Sequence, residues 1–323
     1  MKLEDIGFYT LSNDRAHNAS VESPLMRCEL IVTDRCNFRC PYCRGLREDC
    51  RGDMPLARAD QVLNHWLAEG LQNVRFSGGE PTLYPYLPQL VLKCSLGGVQ
   101  RIAVSTNGSA ARSKYIDLLE RGVNDFSISL DGGCCAVGDV MSGGVKGAWE
   151  KVVDNIRYLS MFSYVSVGMV FDEQNVEQAV EAVEFAHSLG VHDIRVIPSA
   201  QYDRALKVLE DLSPKIVNQY PILAYRIRNL DNDALRVRGM QDGDCPKCWL
   251  ALDDMAIAGK WHFPCIIHLR EGGDPVGEIG PNMRSEREAW IRQHDAFADP
   301  ICRANCLDVC RHYNGVARET HGE

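Results

Sequence analysis

Strand-like runs alternate with helix-like stretches over most of this chain, and that alternation limits the fold more than any other feature. "CELIVT" (28–33), "NVRFSGGEP", "RIAVSTNG", "DFSISLDG", "VSVGMVFD" and "DIRVIPS" are rich in β-branched or aromatic residues, and each ends in Gly, Asn, Asp, Ser or Pro. Between them, 59–70, 113–121, 147–160 and 175–189 carry apolar residues at helical spacing. In "GAWEKVVDNIRYLS", Trp149, Val152, Val153, Ile156 and Leu159 form one stripe. Six strand–helix repeats across 28–225 imply βαβ units and a parallel sheet, two repeats short of a closed eight-fold barrel. The expected fold is therefore α/β, a partial (β/α)6 TIM-like barrel. Chemistry in such folds gathers at the C-terminal strand ends.

Past residue 240 the alternation stops, and six of the fourteen cysteines lie in 245–310. The expected division is an N-terminal segment (1–27), a barrel (28–235) and a small cysteine-rich domain (236–323). The 323 residues suffice for a full core without disulfides. The N-terminus lacks a continuous apolar run and no stretch has the length of a membrane span, so the reading is a cytoplasmic protein whose cysteines are metal ligands or free thiols. A net charge of −9 opposes binding to duplex nucleic acid and disfavours modification of a base within a polymer.

The first strand runs into "IVTDRCNFRCPYCRG", where Cys36, Cys40 and Cys43 are spaced C-x3-C-x2-C. Three close thiolates suit zinc or an iron–sulfur cluster. A fourth zinc ligand could come from Cys50 or a distant His. A three-cysteine cubane instead keeps one iron open to a further ligand, which suits the active end of a barrel.

This motif, with Tyr42 before its last cysteine, resembles the signature of the radical SAM superfamily. "SGGEP" after the second strand is similar to that family's Gly-Gly-Glu-Pro motif, and "STNG" and "SLDG" follow at the next two strand ends. The resemblance implies a [4Fe-4S] cluster on Cys36, Cys40 and Cys43, with S-adenosylmethionine on the open iron. One electron would cleave the sulfonium, and the 5′-deoxyadenosyl radical would take a hydrogen atom from substrate. Gly78, Gly79 and Glu80 would hold the methionine amino end, and the Tyr42 backbone would meet the adenine. Thr106, Asn107 and Ser129 would either touch the carboxylate and ribose or cap their strands. Asp131 would contact ribose, act as a base, or form a turn.

The tail offers Cys245, Cys248 and Cys265, then Cys302, Cys306 and Cys310 at i, i+4, i+8, near one face of a helix. "AGKWHFPC" resembles the start of the SPASM or twitch extensions of radical SAM enzymes, although the late C-x2-C-x5-C-x3-C of full SPASM domains is missing. One auxiliary [4Fe-4S] cluster is implied. Cys248, Cys265, Cys302 and Cys306 are the preferred ligands, with Cys245 and Cys310 competing. A three-ligand cluster that binds substrate and a structural zinc site are the other readings. Cys28, Cys50, Cys94, Cys134 and Cys135 read mostly as buried small hydrophobes, with a hydrogen-atom donor among the last two as the alternative. His262 and His268, which flank Cys265, read as surface histidines, with orientation of substrate or protons as the alternative, and 138–147 reads as a lid or a long loop.

The expected substrate is a small molecule (a sugar, nucleoside or cyclitol) undergoing dehydrogenation, decarboxylation or epimerisation. A peptide substrate ranks second, because about 27 residues before the first strand are too few for a leader-recognition domain and Ile266 replaces the acid of peptide-maturing relatives. A zinc-stabilised binding protein without catalysis is the non-enzymatic alternative. An external one-electron donor, flavodoxin or ferredoxin, is implied.

Overall fold

The computed structural model describes residues 13–23, 25–199, 207–231 and 237–321. Six strands run parallel in chain order: β1 (Arg27–Thr33), β2 (Asn73–Gly78), β3 (Arg101–Thr106), β4 (Asp125–Ser129), β5 (Tyr164–Phe171) and β6 (Asp193–Pro198). The helices between them, including Leu56–Ala68, Arg112–Glu120, Ala148–Leu159 and Ala179–Ser188, lie within a few residues of the expected bounds. This is the partial, open barrel read from the sequence.

Alternation along the strands divides the two faces. One face, with Phe76, Val104, Phe126, Val165 and Ile194, packs on helix residues such as Trp66 and Tyr115. The stripe on Ala148–Leu159 buries Val152, Val153, Ile156 and Leu159. Trp149 is only half-buried, stacks on Phe185 and donates from Nε1 to Gly132 O at 2.8 Å. The other face carries Glu29, Ser105, Ser127 and Ser166, which line the barrel interior.

The tail continues the sheet. Beyond β1's free edge come β7 (Asp254–Ala258), parallel to β1, and then β8 (Trp261–Phe263) and β9 (Gly277–Glu278), both antiparallel, in the order β6-β5-β4-β3-β2-β1-β7-β8-β9. The change in sequence texture marks where crossover helices end, not where strand pairing ends. The expected boundary at 235/236 lies outside the described residues.

Two buried carboxylates tie peripheral helices to this frame. Asp308 receives hydrogen bonds from Arg226 Nη1 and, at 2.8 Å, from Asn229 Nδ2, which joins the C-terminal helix (Asp308–His321) to helix Pro221–Asp231. Asp193 accepts from Ile194 N at 2.8 Å and Ile222 N at 3.1 Å, fixing the start of β6 to the same helix. Burial pushes its carboxyl up to about 6.

Removing one member of a buried ion pair strands the other. Asp308→Ala should therefore lose about 3–5 kcal/mol in urea unfolding. The folded pKa of Asp193 is raised, so its stabilising contribution is complete below about pH 4 and is lost as pH rises through about 6. Thermal melts of Asp193→Asn across that window should lack this decline.

Candidate active site

A cavity of about 740 Å³ opens at the C-terminal strand ends, within the usual range of small-molecule sites. Its walls include Cys36, Cys40, Cys43, Gly78, Gly79 and Asn107 on the barrel side, and Cys265, Ile266 and Cys310 on the tail side.

The cysteine loop is held by β2. Gly79 N donates to Thr33 O and Glu80 N to Arg35 O, both at 2.7 Å. A Cβ on Gly78 would lie 2.2 Å from Thr33 O, and one on Gly79 would lie 2.3 Å from Arg35 O. Gly78 also has φ +153°, which L side chains rarely adopt. The two glycines are needed for close backbone approach, and both present that backbone to the cavity.

Glu80 is held behind the two glycines. It is 1 % exposed and is not part of the cavity wall. Oε1 accepts from Thr82 N (3.0 Å), Thr82 Oγ1 (2.7 Å) and Thr106 Oγ1 (2.8 Å), while Oε2 accepts from Asn107 N (2.7 Å). The carboxylate thus clamps β2 to the end of β3. Thr106 also meets Tyr115 OH. Asn107 Nδ2 donates to Asn37 Oδ1 at 2.9 Å and to Cys36 Sγ at 3.9 Å. Both residues therefore perform the strand-capping task while still reaching the cavity, which Ser129 also lines.

Phe38 N donates to Cys36 Sγ at 3.4 Å. Burial raises the Cys36 thiol, and burial with the nearby Asp131 pushes Cys40 up to about 12. Tyr42 donates its phenol proton to Asp131, whose other oxygen accepts from Val170 N at 2.8 Å. Asp131 is thus an anchor for the loop, with its carboxyl pushed up to about 6 by burial. The segment 138–147 is neither an open loop nor free of the site. Asp139 accepts from Gly147 N and Trp149 N, and Ser142 O accepts from Arg39 N.

In the tail, Cys302, Cys306 and Cys310 do not share one helix. Cys302 lies on Pro300–Asn305, Cys306 ends that helix with extended backbone, and Cys310 follows on the next helix. The thiols still converge. Burial is the main cause raising Cys248, Cys265, Cys302, Cys306 and Cys310; the last four are raised further by others of the set, and Cys248 by Asp254 and Cys245. Such a group is held as neutral thiols until a metal supplies positive charge. Cys245 is buried beside Cys248. His294, Asp299 and Cys302 also bring three ligand-type atoms within 4.8 Å of one another.

His262 and His268 are buried, not on the surface; their Nε2 atoms meet Glu286 and Asp299. Cys28, Cys50 and Cys94 are buried as expected, whereas Cys134 and Cys135 are exposed. Arg270 donates to Gly45 O (3.0 Å) and Gly78 O (2.9 Å), bracing the tail against both the cysteine loop and β2. Sequence reasoning missed Arg270, and also Arg75 and Arg195 inside the barrel. The strand period of two was the available signal for the latter pair.

The radical SAM superfamily profile matches residues 30–197, more than half of the chain, and the chain belongs to that superfamily. It is an enzyme of the family that uses a [4Fe-4S] cluster and S-adenosylmethionine. It is 26 % identical over 247 residues to a GTP 3′,8-cyclase of Pelotomaculum thermopropionicum, spanning 68 % of this chain and 75 % of that one. It is 28 % identical over 190 residues to a PqqA peptide cyclase of Rhodopseudomonas palustris, covering 58 % and 50 %. Its fold is similar to Streptococcus suis SuiB (TM-score 0.60, 16 % identity, 88 % and 69 % covered). It is also similar to anSMEcpe bound to AdoMet and the Cp18Cys peptide (TM-score 0.58, 14 % identity, 93 % and 97 % covered).

Glu80→Gln would turn an amide NH2 toward Asn107 N or toward the threonines. It should cost about 1.5–3 kcal/mol in urea unfolding while leaving the far-ultraviolet circular dichroism unchanged.

Proposed function

We propose that this enzyme reductively cleaves S-adenosylmethionine and removes a hydrogen atom from a small-molecule substrate of the sugar, nucleoside or cyclitol type. The observation that carries this reading is the meeting of three loop thiols, the Gly78–Gly79 backbone and the tail's Cys265 and Cys310 around one cavity. When bound, the two cofactors supply one-electron cleavage of a sulfonium and hydrogen-atom abstraction. The rest is the work of this chain. Cys36, Cys40 and Cys43 would hold the cluster. The Gly78–Gly79 backbone receives the methionine end, with Asn107 and Ser129 beside it. Tyr42, tied to Asp131, sets the course of the loop between the second and third ligands. Cys43 is exposed, which leaves the loop accessible to a one-electron donor such as flavodoxin or ferredoxin.

The tail holds one auxiliary [4Fe-4S] cluster on four of the five convergent thiols Cys248, Cys265, Cys302, Cys306 and Cys310. Cys265 and Cys310 also line the cavity, so a cluster held there would border the substrate space. No helix among the described residues is long and apolar enough to cross a membrane, in keeping with the cytoplasmic setting proposed here.

A second reading, a peptide substrate, is favoured by the fold shared with SuiB, a structure of which holds its precursor peptide SuiA, and with peptide-bound anSMEcpe. Ile266 in the cavity wall leaves that position without an ionisable group.

Iron counting with EPR on anaerobically reconstituted protein tests the assignment. The wild type should hold about eight irons, and the variant with Cys36, Cys40 and Cys43 all changed to Ala about four. Zinc in the tail, with all iron lost in the variant, would remove the auxiliary cluster from the proposal. Full iron in the variant would remove the loop cluster.

A further inference from the structure

Below the strand ends, the inside of the barrel contains two arginines with no ion-pair partner among the described residues, although Asp125 and Asp193 act on Arg195 from farther away. Arg75 on β2 and Arg195 on β6 both line the cavity. The other charged pairs of this interior are matched: Arg27 with Asp254 at 2.7 Å and Arg101 with Asp125 at 2.9 Å. Arg75 and Arg195 have serine hydroxyls instead. Arg75 Nη1 donates to Ser105 Oγ at 3.1 Å, and Arg195 Nη2 donates to Ser127 Oγ. The Nε atom of each is buried with no hydrogen-bond partner among the described residues. The two guanidinium groups also act on each other, and burial with this repulsion lowers Arg195 to about 10.

The floor between them is built for a ligand. Ser105, Ser127 and Ser166 are register partners on β3, β4 and β5, so three small hydroxyl side chains make one row across the sheet. An arginine fork with no carboxylate within ion-pair distance is costly to bury. It becomes favourable when an anion supplies two or more acceptor oxygens.

We propose that Arg75 and Arg195, with the serine row, form a subsite for an anionic group of the substrate, a phosphate or a carboxylate. This rests on the small-molecule reading above and narrows it to a substrate that enters with its anionic end down. Ser105, which Arg75 reaches, is level with Ser77 just before Gly78, so the serine row lies roughly 3 Å below the strand-end backbone assigned to the methionine moiety, and Arg195 is level with Ser129. The substrate's reacting carbon would then lie toward the strand ends. Glu29, whose register partner is Arg75, lines the same space and offers an acceptor to a hydroxyl or amine on that molecule.

The test needs no turnover. Full-length protein, reconstituted anaerobically, is melted with inorganic phosphate or succinate against chloride at equal ionic strength, and affinities are obtained by titration. One of the two anions should raise the melting temperature above the chloride control, and the stronger identifies the group. Arg75→Gln and Arg195→Gln should each weaken binding at least about tenfold, and Arg195→Lys should recover part of it. No shift for wild type with either anion overturns the proposal. So does unchanged affinity in folded Arg→Gln variants. If those variants do not fold, Ser105→Ala and Ser127→Ala take their place, with weakened binding expected and unchanged binding overturning the subsite. Iron counting decides the radical SAM assignment separately, so either result can fail alone.

Discussion

The close backbone approach between the end of β2 and the loop that leaves β1 is the constraint on which the site depends. A cysteine loop of this length has no secondary structure to hold it, and buried peptide groups without partners would be costly. Thr33 O and Arg35 O take their donors from Gly79 and Glu80, and only glycine at 78 and 79 leaves room for that contact. Glu80 then extends the restraint sideways, because four donors from the β2–β3 end converge on its carboxylate. A motif that reads as cofactor-binding is, in this chain, equally the joint between three strand ends.

The barrel was legible because its evidence is local. Each strand–helix repeat carries its own periodicity and its own terminating residue, and six in series leave few alternatives. The cysteine loop was legible for the same reason: its spacing lies within eight residues, and its place follows from the strand before it. What the sequence could not show depends on contacts between distant segments. Nothing near Glu80 indicates that Thr106 and Asn107 will consume its hydrogen-bonding capacity. His262, between Trp261 and Phe263, and His268, between Ile267 and Leu269, do not reveal in sequence which segments will cover them, and both are buried.

The tail illustrates the limit of periodicity. Cys302, Cys306 and Cys310 obey a helical spacing, but the helix breaks at Cys306 and a second one begins at Asp308. The thiols converge anyway, through the packing of two short helices rather than one face of a long one. The inward arginines were missed for a related reason. Arg75 in "RFSGG" and Arg195 in "DIRVIP" alternate with apolar residues, which signals two faces, but only the curvature of the sheet shows that both arginines share one space.

β1 is hydrogen-bonded to β2 on one side and to β7 on the other, and Arg27 reaches Asp254 across 227 residues of chain. During synthesis, the strand that delivers the first cysteine loop must wait for most of the protein before its second edge is covered. Contacts of such long sequence separation are slow to form, and an uncovered parallel edge invites wrong pairing in the interval. The order of events follows: β1 gains its second neighbour only after β7 has been made, and the helix bearing Arg270 reaches the cysteine loop later still.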